Sequence, residues 1–219
     1  MSLRRLVSLV VALAVLAACA GTAAARDPRL ERQRLTPTDM RLAKSAVLRR
    51  ADLASGWRAL AIPAQEDRRL TCPGFDPDFS AFTITGKAVS AFAHPDGASL
   101  TTAMEVYRSR ADAAGDFRTG TTSGVVRCLR DVLERALGSS PVPVRVRSSS
   151  QVAAPRLGDR SAAYRVVAAL DANGRTVPLY LDVLVFGRGR SLGSLMAVSA
   201  FRPLGARTAL ARTMLARMR

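Results

Sequence analysis

Residues 161–201, SAAYRVVAALDANGRTVPLYLDVLVFGRGRSLGSLMAVSAF, carry three apolar runs separated by two turn signals. The runs Ser161–Leu170, Val177–Phe186 and Leu192–Phe201 have strand length and β-branched or apolar composition. Asp171-Ala-Asn-Gly174 and Gly187-Arg-Gly-Arg190 between them have the chemistry of tight reversals, so the three strands form an antiparallel meander. Val144–Val152, after the break at Pro141 and Pro143, supplies a fourth strand. Upstream, Phe82-Thr-Ile-Thr85 and Ala88–Ala93 alternate with period two. The turn His94-Pro-Asp-Gly97 then folds this stretch back onto Ala98–Tyr107.

Helices fill the spaces between the strands. Thr36-Pro37 opens the first: Thr36 can cap, Pro37 suits the first helical position, and Asp39 lies in the positive first turn. Its stripe is Met40, Ala43, Val47 and Ala51, with an end expected near Arg50. Ser109–Asp112 starts a short helix that Gly120 breaks. Val125, Leu129, Val132, Leu133 and Ala136 recur at helical spacing up to Gly138, with Arg130–Glu134 and Asp131–Arg135 on the outer face. Leu204, Leu210, Met214, Leu215 and Met218 share one arc of a final helix. Residues 63–80, with Pro63, Pro73, Gly74 and Pro77, read as loop. No internal repeat is visible. The order predicts an α+β fold: a twisted antiparallel sheet of about six strands with N-terminal, middle and C-terminal helices packed on it, as one domain over residues 36–219.

The N-terminus reads as an address. Arg4 and Arg5 precede an apolar stretch from Leu6 to Ala18, 13 residues long, and small residues follow, so residues 1–25 are an export signal. That stretch spans about 20 Å as a helix, short of the roughly 30 Å of a bilayer core. Leu16-Ala17-Ala18-Cys19 has the lipobox pattern of a lipoprotein, which would make Cys19 the lipidated N-terminus. Ala23-Ala24-Ala25 offers the alternative of an ordinary cleavage and free secretion. Residues 26–35, charged and unpatterned, are expected as a tether. Both routes leave Cys72 and Cys128 as the cysteines of the exported domain, and an even pair in an oxidising compartment predicts one disulfide.

The formal charge is +16, from 33 Lys+Arg and 17 Asp+Glu, and only two of the basic residues, Lys44 and Lys87, are lysine. Arginine is spread along the whole chain while aromatics make up 5%, so the charge is solvated surface facing an anionic envelope and not a nucleic-acid interface. A content of 48% hydrophobic residues excludes a disordered chain. Gly189-Arg-Ser191-Leu-Gly193 matches a nucleophile-elbow pattern, yet Ser191 opens a strand and no His follows it. His94, the single histidine, sits in a turn, so no zinc site of the usual ligand type and no cofactor is expected. Gly86-Lys87 lacks the upstream glycine of a phosphate loop. The remaining candidates for chemistry are Glu105 and Asp182, two carboxylates on apolar strands, with Tyr107, Tyr164, Tyr180 and Trp57 as residues that would line a cleft beside them.

The helix leading into Asp52-Leu-x-x-Gly-Trp57, the run Glu105–Ala114, Cys128 on the following helix, and Asp182-Val-Leu-Val-Phe-Gly-Arg-Gly-Arg190 together resemble the exported sensor-like domains of actinobacterial lipoproteins. These resemble the extracellular domain of receptor serine/threonine kinases and, more distantly, PsbP-like folds. The likeness covers residues 38–218. It implies a twisted antiparallel sheet with helices and a cleft that binds a ligand, with no catalytic residues to carry over. The chain departs from the kinase sensors in having no kinase, no membrane span and one expected disulfide instead of two. The function expected is a noncatalytic cell-envelope lipoprotein module that binds a small molecule, a lipid or a partner protein, attached to the membrane through its N-terminus. The alternative is a secreted hydrolase using Glu105 and Asp182, which requires those carboxylates within about 10 Å of one another.

Overall fold

The computed structural model describes residues 27–62, 70–138, 144–172 and 175–218. Among them lie eight strands: β1 (Arg32–Gln33), β2 (Arg58–Leu60), β3 (Thr83–Ala93), β4 (Ser99–Tyr107), β5 (Val144–Val152), β6 (Arg160–Ala172), β7 (Arg175–Arg188) and β8 (Ser191–Ala200). They form one sheet in the order β1-β3-β4-β8-β7-β6-β5, with β2 also pairing to β3. Every pairing is antiparallel except β1 with β3. The α+β class and the antiparallel sheet stand as read from the sequence. The strand count rises from about six because β1 and β2 are two and three residues long, too short to display an alternation.

Among the described residues four α-helices cover the sheet: α1 (Pro37–Ala46), α2 (Arg110–Gly120), α3 (Gly124–Gly138) and α4 (Arg207–Arg217). On one face Ala43 and Ala46 of α1 and Leu210 and Met214 of α4 pack against Met104, Leu184, Phe186 and Leu195. On the other, Ala113 of α2 meets Tyr107 and Leu192, while Val125 and Cys128 of α3 meet Ala162 and Tyr164. This double cover explains why β7 is a continuous apolar run: Leu184 and Phe186 serve one core and Val177 and Leu179 the other. Full burial of a residue such as Phe186 contributes roughly 1.5–3 kcal/mol.

Local signals account for the helix starts. The Thr36 hydroxyl accepts from the Asp39 N–H at 3.2 Å and the Ser109 hydroxyl from the Asp112 N–H at 3.0 Å. Helix α1 stops at Ala46, earlier than its apolar stripe suggests, and Val47 turns to extended backbone while remaining buried. The first turn of α1 sits so close to β3 that a Cβ on Gly86 would lie 2.3 Å from the Asp39 carbonyl oxygen. A bulge between Ile84 and Gly86 joins the two period-two stretches into one strand. Gly86 is therefore a packing residue.

The β3–β4 reversal closes as predicted, with the Gly97 N–H on the His94 carbonyl at 3.0 Å. Ala172 pairs with Arg175 at the β6–β7 turn, whose residues 173–174 lie outside the described residues. Strand β8 ends one residue before Phe201, which adopts φ 70° and stands 57% exposed. The Cys72–Cys128 disulfide is present, with Cα atoms 5.5 Å apart. It ties the described part of the predicted loop, residues 70–80, to α3; residues 63–69 of that loop are outside the described residues, as are the expected export signal and Cys19.

The stretch expected as a tether is corrected in part. Residues 29–36 lie along the sheet edge: the Phe79 N–H donates to Arg29, Arg32 to Phe82, Arg34 to Ile84 and Thr36 to Thr85, all through backbone at 2.8–2.9 Å. Leu30 is buried, and Arg29 pairs with Asp76. The hydrophobic anchor and these backbone bonds outweigh the charged composition that suggested a free segment.

Candidate functional site

Asp182 lies mid-strand in β7, opposite Arg165 of β6 and Ala197 of β8, on the face shared with α1 and α4. It is 3% exposed. Arg165 Nε donates to Asp182 Oδ1 at 2.7 Å, and Arg207, the first residue of α4, brings Nη1 to 3.6 Å from Oδ2. The guanidinium carbon of Arg165 lies 5.8 Å from the centre of the Tyr180 ring. Arg165 Nη2 and Asp182 Oδ2 are both buried with no hydrogen-bond partner among the described residues. On this face helices α1 and α4 lie over β3, β4, β7 and β8. Beyond Arg165, Ser148 and Ser150 of β5 are exposed, in register with Val167 and Arg165.

Glu105 does not join this group. It pairs in register with Leu192, whereas Asp182 pairs with Ala197. Five residues along β8 is about 17 Å and an odd step, which puts the two carboxylates on opposite faces of the sheet. A hydrolase built on Glu105 and Asp182 acting together is thereby contradicted by register.

Glu105 belongs to a second cluster, under α2. The Tyr107 hydroxyl, fully buried, donates to Glu105 Oε2 at 2.8 Å. Asp116 of α2, 9% exposed, approaches the same hydroxyl, and its Oδ2 has no hydrogen-bond partner among the described residues. Burial first, and then the charges of Glu105 and Glu31, push its carboxyl up to about 9. Burial beside the same carboxylates also raises the Tyr107 phenol well above its ordinary value.

Trp57 and Tyr164 are elsewhere. The Trp57 ring is half-buried at the edge of the main core, 5.4 Å from the His94 ring. Tyr164 packs with the disulfide cluster and donates to the Thr121 carbonyl at 3.3 Å. Of the predicted aromatics only Tyr180 neighbours Asp182. The Gly189–Gly193 motif is a hairpin: Ser191 is the buried first residue of β8, and Arg190 turns away to grip Asp39 through two bonds of 2.8 and 2.5 Å.

Sequence reasoning singled out Asp182 and missed Arg165, although Arg165 interrupts AAYRVVAAL just as Asp182 interrupts LYLDVLVF. Two opposite charges in adjacent predicted strands were a readable pair. Arg207, Asp116 and Glu31 had no such signal, since the approach of Arg207 to Asp182 and of Asp116 to Glu105 and Glu31 depends on helix and edge packing. Among the described residues no group of three or more His, Cys, Asp or Glu is placed to hold a metal ion, and no helix is long and apolar enough to cross a membrane.

No protein-family model matches the chain, and no curated protein matches it in sequence. Among solved structures the chain is similar to the extracellular domain of PknH from Mycobacterium tuberculosis, with a TM-score of 0.48 and 7% identity over 84% of this chain and 98% of that one. At that identity no residue role passes between the two.

Proposed function

We propose that this chain is an exported, noncatalytic binding module of the cell envelope, held at the outer face of the membrane by a lipid on Cys19, with its ligand against the Asp182 side of the sheet. The observation that carries the reading is the pairing of Asp182 with Arg165 through one bond only, leaving a buried acceptor and a buried donor unused. Buried polar atoms in folded proteins are almost always bonded, so two unused ones side by side call for a further group, a water, an ion or a ligand, to complete them. These two sit next to a half-buried tyrosine at the edge of the helix cover.

Native mass spectrometry of the protein purified from the membranes of an exporting host tests the binding reading. The expected result is a co-purifying mass that disappears in the Tyr180→Ala variant; a mass-clean protein that takes up nothing from an envelope lipid and glycan extract overturns it. The anchor is tested separately by intact mass. The parent should carry a diacylglyceryl adduct and fractionate with membranes, and Cys19→Ala should lose both.

A second reading keeps hydrolysis, with Asp116 as the protonated acid and Glu105 as the ionised base. It is favoured by one observation, the upward shift of the Asp116 carboxyl beside an acceptor of the Tyr107 hydroxyl. Abolition of a hydrolytic activity by Glu105→Gln, with the fold intact, would establish it in place of the binding module.

A further inference from the structure

We infer that the half-closed fork between Arg165 and Asp182 recognises a neutral hydroxyl group, and hence that the ligand class is a polyol or carbohydrate. The inference rests on the reading of this face as a binding surface and goes further in naming its chemistry. Arg165 Nε and Asp182 Oδ1 are joined at 2.7 Å, while Nη2 of the same guanidinium and Oδ2 of the same carboxylate have no partner among the described residues. A single oxygen that completes both would donate to Oδ2 and accept from Nη2. A hydroxyl does both through one atom. A phosphate or carboxylate oxygen can only accept and would face the charge of Asp182. An ammonium can only donate and would face the guanidiniums of Arg165 and Arg207. The site thus selects against both ionic classes.

The surroundings agree. Tyr180 borders the fork, and the exposed Ser148 and Ser150 stand on the same face across β6. Adjacent strands are about 4.8 Å apart, close to the breadth of a sugar ring, so a polyhydroxylated ligand lying across β5, β6 and β7 meets a polar group at each strand. Arg207 is the cover. Its side chain is 31% exposed and its Nη1, which also donates to the Leu204 carbonyl at 3.2 Å, lies just outside hydrogen-bond distance of Oδ2. A swing of this side chain toward solvent would open the fork.

Amide-resolved NMR titration of the purified full-length mature protein with maltose, myo-inositol and inorganic phosphate tests this. Saturable shifts around residues 165 and 180–182 with either polyol, and none with phosphate, are expected. Arg165→Lys, which keeps a cation beside Asp182 but removes Nη2, and Asp182→Asn should each weaken polyol binding by at least about tenfold. Arg207→Ala should bind the polyol at least as well as the parent. No saturable shift with either polyol, or polyol binding indifferent to both Arg165→Lys and Asp182→Asn, overturns the inference. Shifts with phosphate alone, lost in Arg207→Ala, also overturn it while leaving the binding module standing.

Discussion

Arg190 joins three remote parts of the chain through one guanidinium: the Asp39 carboxylate in α1, the Tyr107 carbonyl at 3.1 Å in β4, and the β7–β8 turn that carries it. Its pairing holds the Asp39 carboxyl down at about 2, below its ordinary 3.8, despite burial. Lowering a folded-state value stabilises the protein above the unfolded value and is lost as pH falls through the folded one, so this pair contributes about 2 kcal/mol that disappears between pH 4 and 2. Arg190→Ala leaves Asp39 without its cation and should cost about 2–3 kcal/mol in urea unfolding at pH 7, less than a fully buried pair because solvent reaches the guanidinium, with a shallower acid limb. An unchanged midpoint would mean that solvent replaces the pair. Asp116 has the opposite sign. Its folded-state value of about 9 lies above 3.8, so the native state retains a proton that the unfolded chain has released, and stability falls as pH rises through that window. Asp116→Asn should flatten the decline between pH 4 and 9 and raise the melting temperature at pH 7; a parallel pH profile would assign the decline to another group.

At the scale of elements, the segment around Cys72 depends on its staple. Cys72 and Phe75 exchange backbone bonds at 2.9 and 2.8 Å, and Phe75 reaches the cluster of Val125, Cys128 and Tyr164. The disulfide closes a separation of 56 residues, worth up to about 4 kcal/mol in the chain-entropy model. Cys72→Ser should lose a comparable amount and should lift hydrogen exchange at residues 72–79 before that of β6 and β7. Exchange that rises everywhere together would show that no local opening occurs. The sheet was legible where a strand ran long enough to declare itself: β6, β7 and β8 came from apolar runs between Gly-rich turns. The cysteine pair followed from the expected export and from parity, and α1 and α2 from Thr36 and Ser109. What stayed hidden was non-local. The edge pairing of β1 comes from Leu30 and from bonds to β3, neither of which has a sequence period. The separation of Glu105 from Asp182 depends on register across three strands, and the unused half of the Arg165 fork on the rotation of one carboxylate.

At the scale of the molecule, two pairs of helices on opposite faces leave the sheet with different ends. Strand β5 is an outer edge bearing Arg145 and Arg147, both exposed charges that discourage edge-to-edge association. At the other end β1 and β2 share the outer side of β3, β1 beside Thr83 and Ile84 and β2 beside Ala91–Ala93. Residues 29–36 therefore count as part of the folded body. A chain starting at Asp27 should melt with the parent, whereas one starting at Thr36 should melt several degrees lower through loss of Leu30 and the edge bonds, an effect of about 1–2 kcal/mol. Equal melting of the two would return those residues to the tether.

The parallel alignment of β1 with β3 also has a mechanical meaning. Any pull arriving from the N-terminus enters the body through a two-residue strand, the flanking backbone bonds at Phe79, Arg32, Arg34 and Thr36, and the Arg29–Asp76 pair. Tension along the strand direction loads those bonds together in shear, while tension across it peels them away one after another from Arg29 inward. The body of the sheet lies in series with that edge and carries the same force, but through far longer antiparallel ladders, so the edge yields first. In single-molecule stretching the N-terminal segment should thus act as the molecule's fuse, paying out its slack before the disulfide-bonded sheet gives way.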